Sequence, residues 1–245
     1  MRLPEAAGYE VTLLCVGSLD FEAGTVLPEA AATVPVNVLL LRGHGETLLV
    51  DAGSGPADVL WPGAAGLDDA LRGVGRGAND VDAVVLTHLD FDHAGGALAG
   101  RWRDDLRPAF PRAIVSAVDL DVVRSSDLWL AKHVLELYEP LGLELVGDGE
   151  EFRPGLRLVS APGHRPGHCL LLVGDDLVYC ADVLHHEAHV EHPEWAGHFD
   201  GDRALALETR RAWLARLAET GTPAVFSHVA TPGRVLPGGR WAPSV

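Results

Sequence analysis

Basic residues, cysteines and long apolar runs are all scarce in this chain of 245 residues. Against 19 Lys and Arg stand 35 Asp and Glu, a net charge of −16. That balance makes nucleic acid and anionic membrane poor partners, and the acidic residues are spread along the chain instead of forming one tract. The three cysteines, Cys15, Cys169 and Cys180, sit in apolar runs with neither Cys-x-x-Cys spacing nor an even framework. They are expected as buried free thiols in a reducing compartment. No apolar stretch is long enough for a membrane span, and the start "MRLPEAAGYE" lacks a basic flank followed by an apolar segment. Repeats, linkers and low-complexity tracts are absent as well. The expectation is a soluble, cytoplasmic protein folded as one domain over 1–245.

What the chain does have is apolar material, 47% of its residues, ample for a large core. Residues 9–19 and 36–53 read as strands, the second a hairpin turning at Gly43-His44-Gly45. Residues 67–74 place Leu67, Ala70, Leu71 and Val74 at helical spacing. The β-branched run 81–88 reads as a buried strand that delivers His88 at its carboxyl end. A strand at 113–118, a helix over 119–139 and a hairpin-like segment follow. Three strands are expected within 156–183, with turns at Pro162-Gly163 and Gly174-Asp175-Asp176. Residues 202–219 form the strongest helix, with Leu205, Leu207, Trp213, Leu214 and Leu217 as its apolar positions and Asp200 or Asp202 as its cap. "PAVFSHV" (223–229) is a last strand before a Gly/Pro-rich tail.

The chemistry gathers in "LTHLDFDHAGG" (86–96), where His88, Asp90, Asp92 and His93 crowd four metal-type ligands into six residues. Alternation along an extended segment projects His88 and Asp90 to one side. A turn into helix then swings Asp92 and His93 toward an adjacent point. Two neighbouring ligand pairs suit two neighbouring cations better than one, and Gly95 and Gly96 permit close backbone approach. Further donors stand at other strand ends: His164 and His168 in "APGHRPGH", Asp182 after "LVYC" and His228 in "FSH". Imidazoles and carboxylates converging from four strand ends describe a dinuclear metal site.

These motifs, in this order over nearly the whole chain, resemble the metallo-β-lactamase-fold hydrolases, nearest their lactonase and organophosphate-hydrolase branch. The resemblance implies an α/β four-layer αββα sandwich with the metals at one edge. Carried over by position, His88, Asp90 and His164 hold the first ion, Asp92, His93 and His228 hold the second, and Asp182 bridges them. It further implies two divalent ions, zinc first, and a metal-bound hydroxide attacking the carbonyl of a lactone or other ester. Asp92 would steer the nucleophile as well as ligate. His185 falls where some lactonases of the fold carry a carbonyl-polarising tyrosine, so it is a candidate for catalysis and substrate binding. Small-molecule substrates and a homodimer fit the same picture.

The usual hexad is His-x-His-x-Asp-His, and Asp90 departs from it. With two divalent ions, Asp92, Asp182 and a bridging hydroxide leave the core at +1, and Asp90 lowers it to zero. A less positive core acidifies water less, and an extra hard oxygen ligand opens iron or manganese as alternatives to zinc. Two other readings follow: a non-haem di-iron oxidoreductase, and a metal-binding module without turnover. Arg165, beside His164, is a candidate clamp for a substrate carboxylate. His168 is expected to orient a ligand or its loop, and Asp51 to support the metal loops by hydrogen bonding. His186, His189, His192 and His198 lack the carboxylate pattern of a third site. Phe21, Trp129, Tyr138 and Trp195 are candidates for lining an apolar pocket.

Overall fold

Side chains that alternate between two apolar environments build two sheets here. The computed structural model describes residues 1–55, 66–101, 105–195 and 197–244. Strands β1 (Glu10–Phe21), β2 (Ala32–Gly43), β3 (Glu46–Val50) and β4 (Ala83–Leu86) begin the first sheet. A two-residue ladder of β5 (Leu98–Ala99) and β6 (Arg107–Pro108) stands apart. With β7 (Ala113–Ser116) and β8 (Leu143–Val146) the first sheet has the order β1-β2-β3-β4-β7-β8. The second comprises β9 (Glu151–Arg153), β10 (Leu156–Ser160), β11 (Cys169–Val173), β12 (Leu177–Tyr179), β13 (Ala224–Val225), β14 (Gly233–Leu236) and β15 (Arg240–Pro243), neighbours in sequence order. The helices are α1 (Leu67–Gly73), α2 (Phe91–Ala94), α3 (Leu120–Ser125), α4 (Trp129–Gly142), α5 (Ala188–Glu191) and α6 (Arg203–Thr220).

Three apolar clusters show how the layers stack. Leu48 and Val50 of β3, Ala83 and Val85 of β4 and Ile114 of β7 meet Leu171 and Val173 of β11 and Leu177 and Tyr179 of β12 between the sheets. The alternate residues, Leu49, Val84 and Leu86, turn outward to Leu71 of α1 and Val134 and Tyr138 of α4. On the far side, Leu170, Val178 and Phe226 receive Trp213, Leu214 and Leu217 of α6. The result is the expected αββα sandwich, with each buried Leu or Val side chain contributing about 1.5–3 kcal/mol. Among the described residues no helix is long and apolar enough to cross a membrane.

Parallel pairing places the chemistry. Strands β3, β4 and β7 run parallel, so Asp51 and His88 emerge from adjacent carboxyl ends. In the other sheet β12 and β13 are parallel and deliver Asp182 and His228 toward the same edge. Gly95 and Gly96 allow the hexad to press on the turn after β3. A Cβ on Gly96 would lie 2.0 Å from the Ala52 carbonyl oxygen, and one on Gly95 would lie 2.4 Å from that of Ser54.

Several local expectations shift. Cys15 is exposed, because it sits at the β1 bulge, while Cys169 and Cys180 are buried free thiols as expected. The helix over 119–139 is two helices, parted between Ser125 and Trp129, with Asp119 in a left-handed conformation (φ 56°) at the entry. Only Ala224 and Val225 of the last expected strand pair in the sheet. The Gly/Pro-rich tail instead forms the β14–β15 hairpin, where Gly238 and Gly239 supply positive φ. Asp202, not Asp200, caps α6, accepting from the backbone N–H groups of Ala204 and Leu205. That helix also turns differently from the expected stripe, burying Ala206, Arg210, Trp213, Leu214 and Leu217 and leaving Leu205 exposed.

Candidate metal centre

The two oxygens of Asp182 divide the site. Its Oδ1 lies 3.1 Å from His93 Nε2 and 3.4 Å from His228 Nε2. Asp92 Oδ2 joins that side, 3.3 Å from His228 Nε2 and 3.7 Å from His93 Nε2. The other oxygen, Oδ2, faces His164 Nε2 at 3.4 Å, His185 Nε2 at 3.3 Å and His88 Nε2 at 4.0 Å. Asp90 Oδ2 stands 3.8 Å from His164 Nε2. Donor atoms of His88, Asp90 and His164 fall within 4.8 Å of one another, as do those of Asp92, His93 and His228. All seven residues expected as ligands therefore meet at one place.

Nε2 of His88, His93, His164 and His185 and Oδ1 of Asp182 are buried without a hydrogen-bond partner. Such atoms carry a desolvation cost of about 1–3 kcal/mol each unless something else satisfies them. Tetrahedral zinc with bonds of about 2.0–2.1 Å sets its ligand atoms about 3.3–3.4 Å apart. His228 on Oδ1, and His164 and His185 on Oδ2, match that edge, with His93 inside it at 3.1 Å and His88 beyond it at 4.0 Å, so the donor set fits two divalent ions.

The inward imidazoles of His88, His93 and His228 are tied from behind, which fixes ring orientation. His93 Nδ1 lies 2.8 Å from Asp51 Oδ2, and His88 Nδ1 lies 3.1 Å from Thr87 Oγ1. His228 Nδ1 meets the Pro35 carbonyl at 2.8 Å. Asp51 also accepts from the Thr87 backbone N–H and from the Tyr179 hydroxyl, the supporting role expected of it. His168 spans the Ala161 carbonyl and the Asp182 backbone N–H through its two nitrogens, so it holds the backbone of Asp182 in place.

His164 Nδ1 lies 3.1 Å from Asp200 Oδ1, whose other oxygen accepts from Arg210 at 3.0 Å. Arg210 is 1% exposed and also donates to the carbonyls of Val183 and Pro193. Neither Asp200 nor Arg210 was expected here. The available sign was an arginine in the buried stripe of α6.

Arg165 stands on Asp90. Its Nε donates to Asp90 Oδ2 at 2.7 Å, and Nη1 donates to the carbonyls of Phe199 and His164. Asp90 occupies the cap position of α2 without capping it, because its side chain is turned to this guanidinium.

Protonation among these groups follows their packing. Burial opposes charge on His93, but the Asp182, Asp92 and Asp51 carboxylates outweigh it and raise its pKa well above the ordinary value. Burial likewise opposes charge on His228, which Asp182 and Asp92 nevertheless raise to about 10. Against the upward push of burial, His93 and His228 draw Asp92 down to about 2. His164 falls to about 4 through burial, partly offset by Asp200. Burial lifts Asp90 to about 6 against the pull of Arg165.

A cavity of about 260 Å³ opens over the cluster. Asp90, Asp92, Asp182, His164, His185 and His228 form its floor, Arg165 one side, and Leu19, Phe21, Phe91 and Phe199 its apolar wall. Of the four aromatics expected there, only Phe21 lines it. Tyr138 is core, its hydroxyl donating to the Ala97 carbonyl. Trp129 stacks on His133 and Trp195 on His192. His189 is buried and bridges the His185 N–H and the Val26 carbonyl. Among the described residues, His186, His189, His192 and His198 join no metal-type cluster.

Residues 31–228 match the sequence pattern of the Metallo-beta-lactamase superfamily. Ribonuclease Z from Mycolicibacterium gilvum (strain PYR-GCK) is 39% identical over 105 residues, 42% of this chain and 30% of its own length. An N-acyl homoserine lactonase from a Bacillus species is 27% identical over 162 residues, 64% of this chain and 58% of its own length. The chain thus spans between 30% and 58% of these curated relatives. The solved structure of AidC, a dizinc quorum-quenching lactonase, superposes with a TM-score of 0.87 at 21% identity, covering 100% of this chain and 97% of that one. At this identity the likeness is one of fold.

Proposed function

The chain belongs to the metallo-β-lactamase superfamily, and from that premise we propose that it is a metal-dependent hydrolase of lactones or other esters. The observation that carries the proposal is a set of unpartnered buried donors under a cavity with an apolar wall. His93, His228 and Asp92 would hold one ion, His88 and His164 with Asp90 beside them the other, and Asp182 would stand between. Two bound divalent ions would supply Lewis acidity and an acidified water.

The residues of the chain do the rest. Leu19, Phe21, Phe91 and Phe199 desolvate an acyl or alkyl portion, which leaves the carbonyl end over the polar floor. Asp92 stays ionised, so it accepts a hydrogen bond from the attacking water and orients it. Segments that follow strands of both sheets contribute to the floor, so we read the chain as one catalytic unit acting on a small molecule.

Arg165 bears on the choice of chemistry. The core count of zero with Asp90 ionised becomes +1 again once its guanidinium is included, the value of an all-histidine hexad. That favours hydrolysis over di-iron chemistry, for which the lower charge was the motive. The test is a panel of lactones and phenyl esters of increasing acyl length, run on protein whose metal content is measured. Hydrolysis whose KM falls with chain length supports the proposal. Protein that holds two ions per chain and hydrolyses nothing across the panel refutes it.

A further inference from the structure

We propose that His185, not Asp90, supplies the remaining protein ligand of the first ion. The inference rests on the dinuclear reading above and names a residue outside the ligand set that the hexad motif implies.

Three observations point the same way. His185 Nε2 lies 3.3 Å from Asp182 Oδ2, matching His164 Nε2 at 3.4 Å and closer than His88 Nε2 at 4.0 Å. It is buried, 5% exposed, with no hydrogen-bond partner at that nitrogen. Together with His164 and Asp182 it makes a set of donor atoms within 4.8 Å of one another, separate from the set that contains Asp90. A residue that only polarised substrate would direct this nitrogen at the cavity and away from the carboxylate between the ions.

Asp90 is committed elsewhere. The oxygen that faces His164 is the one that accepts from Arg165 Nε at 2.7 Å, and the guanidinium is itself fastened to two backbone carbonyls. Ligation through that oxygen would set a divalent cation beside a fixed guanidinium. The backbone of His185 is held for the ligating role: its N–H donates to His189 Nδ1, and His189 Nε2 reaches the Val26 carbonyl at 2.9 Å. The imidazole of His185 therefore takes the place of the histidine that the hexad lacks, and the Asp90–Arg165 pair closes the side of the site.

Zinc binding to the full chain tests this. Zinc content and competition with a chromophoric chelator are measured for the wild type, His185→Ala, His228→Ala and the double variant Asp90→Ala/Arg165→Ala. The pair is removed together, because Asp90→Ala alone leaves an uncompensated guanidinium facing the ions. His185→Ala should weaken one of two zinc ions by more than about 100-fold, beyond the range for losing a residue that merely orients a ligand. The double variant should keep both ions within about tenfold. The proposal is overturned if His185→Ala binds both ions as the wild type does and the double variant loses one. A wild type that binds no zinc, with His228→Ala no different, instead brings down the dinuclear reading itself. Should His185→Ala fold poorly, a crystal structure of the zinc-loaded wild type decides: a zinc–Nε2 distance of about 2.0–2.1 Å at His185 supports the assignment, and one beyond about 3 Å overturns it.

Discussion

Removing the Asp200 carboxylate separates two things that this side chain does at once. It accepts from Arg210 at 3.0 Å and lies 3.1 Å from His164 Nδ1, with no exposed side-chain surface of its own. Asp200→Ala leaves Arg210 buried without a countercharge, and breaking a buried pair from one side costs about 3–5 kcal/mol. The Val183 and Pro193 carbonyls still receive the guanidinium, which places the loss near the lower end, about 3 kcal/mol. For a chain of this size that is a fall in Tm of about 6–12 °C. His164 also loses the group that sets its tautomer, so zinc at that one site should weaken about 10–100-fold. Adding Arg210→Met removes the stranded charge. Thermal unfolding of the metal-free proteins should then recover most of the lost stability, while a chelator titration still shows the weakened site. If the double variant regains zinc affinity along with stability, Asp200 acts on folding alone and the argument for its hold on His164 fails. The shift of Asp200 to about 2 sets the pH range of its contribution. Stability from this carboxylate is present above about pH 4 and is lost as pH falls toward 2.

In metal-free protein at pH 7, His93 and His228 carry protons that binding must displace; zinc titrations in buffers of different ionisation enthalpy should report release of about two protons per chain, and zero would contradict the raised values. His228 stabilises the metal-free fold fully below about pH 6.5, a contribution that fades as pH rises toward 10 and that stability measurements across that range should reveal; His93, raised in the same direction, adds to it. Gly96→Ala drives a methyl into the Ala52 carbonyl and should cost about 1–3 kcal/mol with weaker zinc binding, whereas Gly73→Ala, with nothing within 4 Å, should be neutral or stabilising by melting. Tyr179→Phe takes one donor from Asp51 and should lower stability by about 1–3 kcal/mol in denaturant titration, with turnover little changed. Phe199→Ala should raise KM for long-chain esters more than for short ones, and a uniform loss of kcat would argue against a role in acyl binding.

Much of the site was legible because its cues are local. Four ligands in six residues after a β-branched run, and lone carboxylates or imidazoles ending other strands, need no long-range information. The layers came with the resemblance, because β3, β4 and β11 are apolar on both faces and carry no polar–apolar alternation to read. Pairings across the chain were not legible. Asp90 and Arg165 each looked unusual alone, but they lie 75 positions apart, and only the meeting of the hexad turn with the 161–168 loop makes each the answer to the other. Asp200 and Asp202 are equivalent cap candidates in sequence, since an acid before a helix usually caps it; Asp202 takes that task, and nothing local points Asp200 to His164. Phe91 enters the cavity from the first residue of the one-turn helix α2 and Phe199 from a loop, where no periodicity announces which way a side chain points. His185 drew notice by its distance from Asp182 in sequence, yet its direction depends on His189 and the Val26 carbonyl across the fold.

The seam between the sheets has its own consequence. Along most of its length it is aliphatic, and such contacts lose little if one sheet slides a fraction of an ångström over the other. At the edge beside the metal-type donors the contacts change character. Asn37 of β2 donates to the carbonyls of Phe226 and Val229 and pairs through its backbone with Ser227, His228 grips the Pro35 carbonyl, and the Cys169 N–H reaches the Thr87 carbonyl. Hydrogen bonds of this kind tolerate little displacement. The alignment of one sheet on the other is therefore decided at the edge that carries the donor cluster, and a core substitution far away that tilts the seam would be felt there first. If the proposed centre binds zinc, its affinity would double as a gauge of how well the two halves are seated.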